Sequence, residues 1–260
     1  MNYTVERIAS IVEGKITNGL NNNLIIKDLL FDSRLLVSPE NTLFFSLKSH
    51  RNDGNKYIDD LYAKGVKAFV VENSNSIAKI IENKDDATFI LVDDTLKALQ
   101  RTASFHRENF DIPIIGITGS NGKTIVKEWL CQILSPEISV VRSPKSYNSQ
   151  IGVPMSVWQL SDLHDVAIFE AGISRPDEMQ NLKEIIRPTV GVFTNIGQAH
   201  GKNFDNINNK IKEKIKLFSD VETMIYCLDY KDIDDEVKRL NVNTFTWSRI
   251  NENADVFVYS

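Results

Sequence analysis

Residues 112–130 read IPIIGITGSNGKTIVKEWL. Pro113 disfavours helix at Ile112, and the apolar, β-branched run up to Thr118 has the character of a buried strand. From Lys123 onward, Ile125, Val126, Trp129, Leu130, Ile133 and Leu134 recur along one helical face. Gly119 and Gly122 lie between the two. A strand, a glycine loop and a helix together bring backbone N–H groups and the positive end of the helix onto an anion. Lys123 is placed to reach the terminal phosphates of a nucleotide, and the Thr124 hydroxyl to ligate Mg2+. The pattern G-x-x-x-x-G-K-[ST] is not met, because Ile117 stands where its first glycine belongs and Gly116 sits one position early.

Outward from this loop the chain alternates. Downstream, strands are expected at 138–142, 165–170, 189–195 and 222–228, and helices at 123–134, 177–187 and 206–218. Two more strands are expected in the tail NTFTWSRINENADVFVYS. Upstream, Val5, Ile8, Ala9 and Val12 share a helical face with Thr4 as N-cap and Gly14 as stop. NTLFFSL, VKAFVVE and ATFILVD read as strands, NKYIDDLYAKG and SNSIAKIIENK as helices, and a longer helix starts at Asp94 with Leu96, Leu99, Ala103 and His106 inward. Such alternation implies an α/β layer structure. The polar HRENFDIP sets a boundary near 110, giving domains 1–110 and 111–260.

With 30 Lys+Arg against 35 Asp+Glu the net charge is −5, which argues against a general nucleic-acid binder. No apolar run approaches the roughly 18 residues of a membrane span, and MNYTVERIAS does not read as a signal peptide. Cys131 and Cys227 sit in apolar segments and read as buried thiols. A reduced cytoplasmic location is the expectation.

Further residues carry chemistry. DVAIFEAGIS delivers Glu170 to the carboxyl end of a strand, where open α/β sheets bind ligands and where a hard cation finds carboxylate oxygen. GVFTNIGQAHGKNF presents Asn195 and His200 past the next strand end, whereas His50, His106 and His164 read as core or surface residues. In NNKIKEKIKLF the buried stripe is Ile207, Ile211, Ile215 and Phe218; at about 100° per residue Lys214 lies roughly 55° from its centre, and Lys210, Lys212 and Lys216 roughly 95° or more. Lys214 is therefore the lysine facing the protein. Asn148 lies in SPKSYNSQIGVP, and Asp32-Ser33-Arg34 forms a polar turn whose Arg suits bidentate contact with diphosphate.

The off-register loop T-G-x-N-G-K-T, Thr118 to Thr124, resembles the ATP loop of the Mur ligase family, the ATP-dependent amide-forming enzymes of peptidoglycan assembly. The similarity runs over essentially the whole chain. It implies a small N-terminal α/β uridine-nucleotide domain, then a P-loop ATPase domain with a mostly parallel sheet, incomplete here, and an absent C-terminal domain. It also implies ATP and Mg2+ as cofactors. Thr118, Gly119, Ser120, Asn121, Gly122, Lys123 and Thr124 would hold the nucleotide; Thr124 and Glu170 one Mg2+; His200 and a carbamylated Lys214 a second. Lys123, His200 and Lys214 would be catalytic. Ser33, Arg34, Asn148 and Ser149 would contact substrate, although Ser146 and Ser149 replace asparagines, and Ser49 and Asn55 a Gly and a His, of many relatives.

The N-terminal segment is most similar to the branch that joins D-alanyl-D-alanine to UDP-N-acetylmuramoyl tripeptide, and the parent chain is open to fusion with an alanine racemase. Turnover is not expected of the 260 residues alone. The alternatives left standing are the ligase adding the third amino acid to the dipeptide, a folylpolyglutamate-type synthetase and a nucleotide-regulated binding module.

Overall fold

Parallel strands connected by helices account for most of the computed structural model, which describes residues 3–17, 21–49, 52–74, 77–197, 204 and 206–259. The chain divides into two compact units, Met1–Phe105 and His106–Ser260.

In the first unit, β1 (Tyr3–Thr4) leads into α1 (Val5–Val12), capped as expected by the Thr4 side chain accepting from Arg7 N and closed by Glu13 in the left-handed conformation. There follow β2 (Lys15–Thr17), β3 (Ile25–Ile26), β4 (Asp28–Leu30), β5 (Thr42–Phe45), β6 (Lys48–Ser49), β7 (Asn52–Asp53), α2 (Ile58–Ala63), β8 (Ala68–Glu72), α3 (Ile77–Ile81), β9 (Thr88–Val92) and α4 (Thr95–Arg107). A five-stranded sheet has the order β2-β9-β8-β5-β4, parallel except for β2. Its core includes Phe44, Phe69 and Phe89, with the last two rings stacked at 5.0 Å.

The second unit contains β10 (Ile114–Thr118), α5 (Lys123–Leu134), β11 (Val140–Arg142), α6 (Gly152–Val157), β12 (Val166–Glu170), α7 (Glu178–Ile186), β13 (Val190–Phe193), α8 (Ile207–Ile215), β14 (Thr223–Cys227), α9 (Lys231–Val237), β15 (Asn243–Ser248) and β16 (Val256–Phe257). All seven strands are parallel, in the order β11-β12-β10-β13-β14-β15-β16. The expected strands and helices are present, and the tail supplies β15 and β16. Helices α6 and α9 were not anticipated: α6 has only six residues and carries Pro154, and α9 shows only Ile233 and Val237 as its buried pair.

One expectation is corrected. The six apolar residues of α5 do not share a face. Val126, Leu130 and Leu134 pack against Ile117 and Ile168 of the sheet, while Ile125, Trp129 and Ile133 point outward, Trp129 being 63% exposed. Residues spaced i, i+1, i+4, i+5 span an arc wider than one sheet contact, so the stripe splits along its length.

Within this unit the buried Arg107 ties three carbonyls together, donating to Ile186 O (2.9 Å), Phe110 O (2.6 Å) and Arg187 O (3.1 Å). It thereby satisfies acceptors at the C-terminus of α7. Because R107M leaves these acceptors without their donor, it is expected to lower stability by about 3 kcal/mol. Urea unfolding checks this: the midpoint should fall at unchanged slope, and an unchanged midpoint would contradict it.

Candidate active site

The loop leaving β10 sits at the topological switch point of the second unit. From β10 the sheet grows one way through β12 and β11 and the other way through β13 to β16, which opens a crevice above the carboxyl end of β10. The sequence places Gly119 and Gly122 there because the turn requires them. Their φ angles are 148° and 80°, and a Cβ on Gly119 would lie 2.0 Å from Thr194 Oγ1.

That close approach belongs to a clasp. Thr194 Oγ1 donates to Asn121 O (2.6 Å), Ser120 N donates to Asn195 O (2.9 Å), and Asn121 N donates to Asn195 Oδ1 (3.0 Å). On the other side, the buried Thr118 hydroxyl donates to Ala171 O at 2.8 Å. The first helical hydrogen bond of α5 runs from Val126 N to Gly122 O, so the N–H groups of Lys123, Thr124 and Ile125 precede it and face the crevice end of the helix. Ser120 Oγ is buried without a hydrogen-bond partner. An orphaned hydroxyl inside a loop of converging N–H groups suits an oxyanion ligand.

Two lysines meet over the loop. Lys123 Nζ donates to Gly119 O at 3.0 Å and Lys214 Nζ to the same oxygen at 3.1 Å. Lys214 is buried on α8, as the wheel predicts. Burial, and then the positive charges of Lys123 and Lys210, push its ammonium down to about 7. Burial also lowers Lys123, against the attraction of Glu170. Two cations sharing one carbonyl form a pocket short of negative charge.

Glu170, fully buried at the end of β12, supplies a carboxylate at this edge. Its Oε2 accepts from Thr124 Oγ1 (3.1 Å) and Asn148 Nδ2 (3.3 Å), and Thr124 Oγ1 also lies 3.1 Å from Ser146 Oγ. Its Oε1 has no hydrogen-bond partner, although the Lys127 ammonium lies 3.1 Å away. The distance gives attraction without an aligned hydrogen bond. A carboxylate oxygen left open beside a hydroxyl is a hard-oxygen donor set that fits Mg2+. Among the described residues no cluster of three or more His, Cys, Asp or Glu forms a cage, so a cation held by Glu170 and Thr124 would take its remaining oxygens from phosphate or water.

The structure thus brings Thr118 to Thr124, Asn148, Glu170 and Lys214 together. The Ser149 hydroxyl is occupied, accepting from Gly152 N at 3.1 Å where α6 begins. His200 lies outside the described residues, as does His50. His106 is a core residue, packed on Phe110 and Trp158 and pushed down to about 4 chiefly by burial; His164 Nδ1 accepts from Ser161 N. In the first unit, Ser33 and Arg34 form a short turn and line a cleft of about 320 Å3 with Phe31, Asp32, Asn52 and Tyr57. Arg34 is 85% exposed and already paired with Asp32 at 2.6 Å. Sequence reading missed Lys127 altogether, and also Thr194 and the anchoring role of Asn195. The β-strand end at Phe193 was the available signal for those two.

A doubly wound parallel sheet with a glycine loop, a carboxylate and two lysines at its switch point defines a P-loop nucleotide-binding domain. Comparison with known proteins gives the family. The Mur ligase middle domain matches residues 117–259, and the Mur ligase family catalytic domain matches residues 32–107. The chain belongs to the Mur ligase family, which bears out the resemblance read from the loop.

It is 30% identical over 216 residues to a UDP-N-acetylmuramoyl-tripeptide–D-alanyl-D-alanine ligase of Bacillus subtilis, covering 83% of this chain and 46% of the relative. Its structure is similar to MurF from Acinetobacter baumannii, with TM-score 0.85 and 26% identity over 99% of this chain and 55% of that one. It is also similar to the MurF ligase from Thermotoga maritima in complex with ADP, with TM-score 0.74 and 26% identity over 86% and 51% of the two chains. The chain spans about half the length of the curated relatives it matches.

Because a Cβ at position 119 would meet Thr194 Oγ1 at a φ disfavoured for L-residues, G119A should open the clasp. Strain of ~1–3 kcal/mol corresponds to about ten-fold weaker binding of a nucleotide polyphosphate at this loop. Calorimetric titration of wild type and G119A checks this, and equal affinities would contradict it.

Proposed function

We propose that this chain carries the nucleotide- and precursor-binding parts of an ATP-dependent amide ligase of peptidoglycan synthesis, one that joins D-alanyl-D-alanine to UDP-N-acetylmuramoyl tripeptide. The observation that carries this reading is the convergence of Thr124, Glu170 and Lys214 on one phosphate loop in a chain of this family. The similarity to ligases of that name selects the reaction. A cytoplasmic location follows from the substrates, and no helix among the described residues is long and apolar enough to cross a membrane.

The chemistry asked of the site is transfer of the ATP γ-phosphoryl group to the carboxylate of the tripeptide. A carboxylate oxygen forms the new P–O bond while the bond to ADP breaks. The amine of D-alanyl-D-alanine then attacks the acyl carbon, phosphate leaves, and the amine proton passes to solvent. Little covalent work falls to the protein, which must align the reactants and neutralise charge. Lys123 would exchange the Gly119 carbonyl for the β- and γ-phosphates. The free N–H groups at the start of α5 and the Ser120 hydroxyl would take phosphate oxygens, replacing water and settling an orphaned donor.

Thr124 and Glu170 would hold one Mg2+, with Asn148 steadying the carboxylate; His200 and Lys214 would hold a second. Bound there, Mg2+ offsets the charge of the phosphoryl oxygens. Asn148 would also face the substrate, and Ser33 and Arg34 would receive its diphosphate in the cleft they line, Arg34 by sharing or releasing Asp32. Ser149 would act through the start of α6.

Lys214 can support a cation only after losing its positive charge. A neutral amine attacks CO2, an N–C bond forms, a proton leaves to solvent, and the product is an anionic carbamate. An ammonium pushed down to about 7 has a substantial neutral fraction near neutrality, unlike an ordinary lysine. At fixed dissolved CO2, carbamate should therefore increase as pH rises from 6 to 8. Carbon-13 NMR with labelled CO2 should show this signal in wild type and not in K214R; a rise only near pH 10 would contradict the assignment.

Substrate choice is tested by titrating the chain with UDP-N-acetylmuramoyl tripeptide, the corresponding dipeptide and a folate. The tripeptide should bind most tightly. Preference for the dipeptide would move the assignment to the ligase of the preceding step, and preference for the folate would overturn it.

A further inference from the structure

Lys127 lies one turn beyond Lys123 on α5 and is wholly enclosed. Removing an ammonium from water is unfavourable unless partners replace the solvent. Its partners are the carbonyl of Ser143, at 2.8 Å, that of Lys145, and the carboxylates of Glu128 and Glu170, each 3.1 Å away. Glu128 is partly exposed and is also paired with Arg142 at 3.0 Å. Glu170 is fully buried, so its charge leans on Lys127.

A carboxylate suited to a divalent cation but facing a fixed ammonium is under conflicting demands. The ammonium balances its charge and fixes its orientation. The same ammonium repels any second cation, and Lys123 adds to that repulsion from the loop side. Only a ligand that carries negative charge reverses the balance. The four acceptors around Lys127 also outnumber its three protons, which explains why Glu170 Oε1 has its charge neighbour without an aligned hydrogen bond and stays open as a ligand atom.

Building on the reading of this crevice as a metal–nucleotide site, we infer that Lys127 is a positioning residue, the resident counter-ion of Glu170, and that it excludes free divalent cations so that the metal enters with the nucleotide phosphates. Metal and nucleotide then bind with strong mutual coupling, each raising the affinity for the other by the same factor.

The test compares wild type, K127M and K127M/E170Q by thermal unfolding and by Mn2+ binding, read from the loss of the free-ion EPR signal. Wild type should retain Mn2+ with ADP present and show no rise in melting temperature with Mn2+ alone. K127M, left with an unbalanced carboxylate, should melt below wild type without metal, recover with Mn2+ alone, and bind it on the order of ten-fold more tightly than wild type. K127M/E170Q should melt above K127M and lose the response.

Wild type binding Mn2+ as tightly without ADP as with it, or folded K127M binding it no better than wild type, would overturn the inference. If K127M does not fold, the double variant decides: folding restored by removing the Glu170 charge supports the counter-ion role, and no restoration overturns it. Failure of wild type to bind ADP with Mn2+ would instead refute the nucleotide reading, while the K127M comparison still judges the pairing.

Discussion

The clasp between the end of β13 and the loop after β10 is the contact on which the rest of the site depends. Thr194 and Asn195 take hold of the backbone of Ser120 and Asn121 from one side, while Thr118 bonds to Ala171 on the other. The loop is thereby stretched between the two neighbours of β10, which diverge at the switch point. Its only workable course brings Gly119 against Thr194, and that course turns the start of α5 toward the crevice. Glu170 arrives from β12 and Lys214 from α8 because their elements pack beside the strand that launches the loop. Nothing in this arrangement needs the first glycine of the usual pattern.

Charge is the second organising constraint. Lys127 is paired with the buried Glu170, and the loop carbonyl of Gly119 is shared by Lys123 and Lys214. Such a pocket is poorly balanced when empty, and a polyphosphate with its cation is the complementary charge. The depressed ammonium of Lys214 records that imbalance, since burial and neighbouring cations both disfavour its proton. Strained electrostatics of this kind mark functional sites, where stability is traded for readiness.

Much of this was legible in the sequence because it has a period or a local signal. The strand–loop–helix around Gly119, the strand that ends at Glu170 and the inward face of α8 each declare themselves within a dozen residues. Lys127 does not. Set between Val126 and Glu128, it reads as a solvated lysine, and its partners beyond Glu128 come from positions 143, 145 and 170. The clasp was hidden for the same reason, joining residues about 75 apart. Periodicity also overreached on α5: it found apolar residues but not how much of the helix one sheet face can cover, so Ile125, Trp129 and Ile133 were put on one face with Val126, Leu130 and Leu134, whereas they point outward.

The central claim is that Thr124, Glu170 and the glycine loop bind one metal-bound polyphosphate. The most direct measurement is a crystal structure of the chain with Mn2+ and a non-hydrolysable ATP analogue, using the anomalous signal of manganese to locate the ion. The account predicts the ion in direct contact with Thr124 Oγ1 and Glu170, and the phosphates against the backbone of residues 119–124 with Lys123 on them. Manganese lodged elsewhere, or phosphates away from that loop with Lys123 still on Gly119, would contradict it.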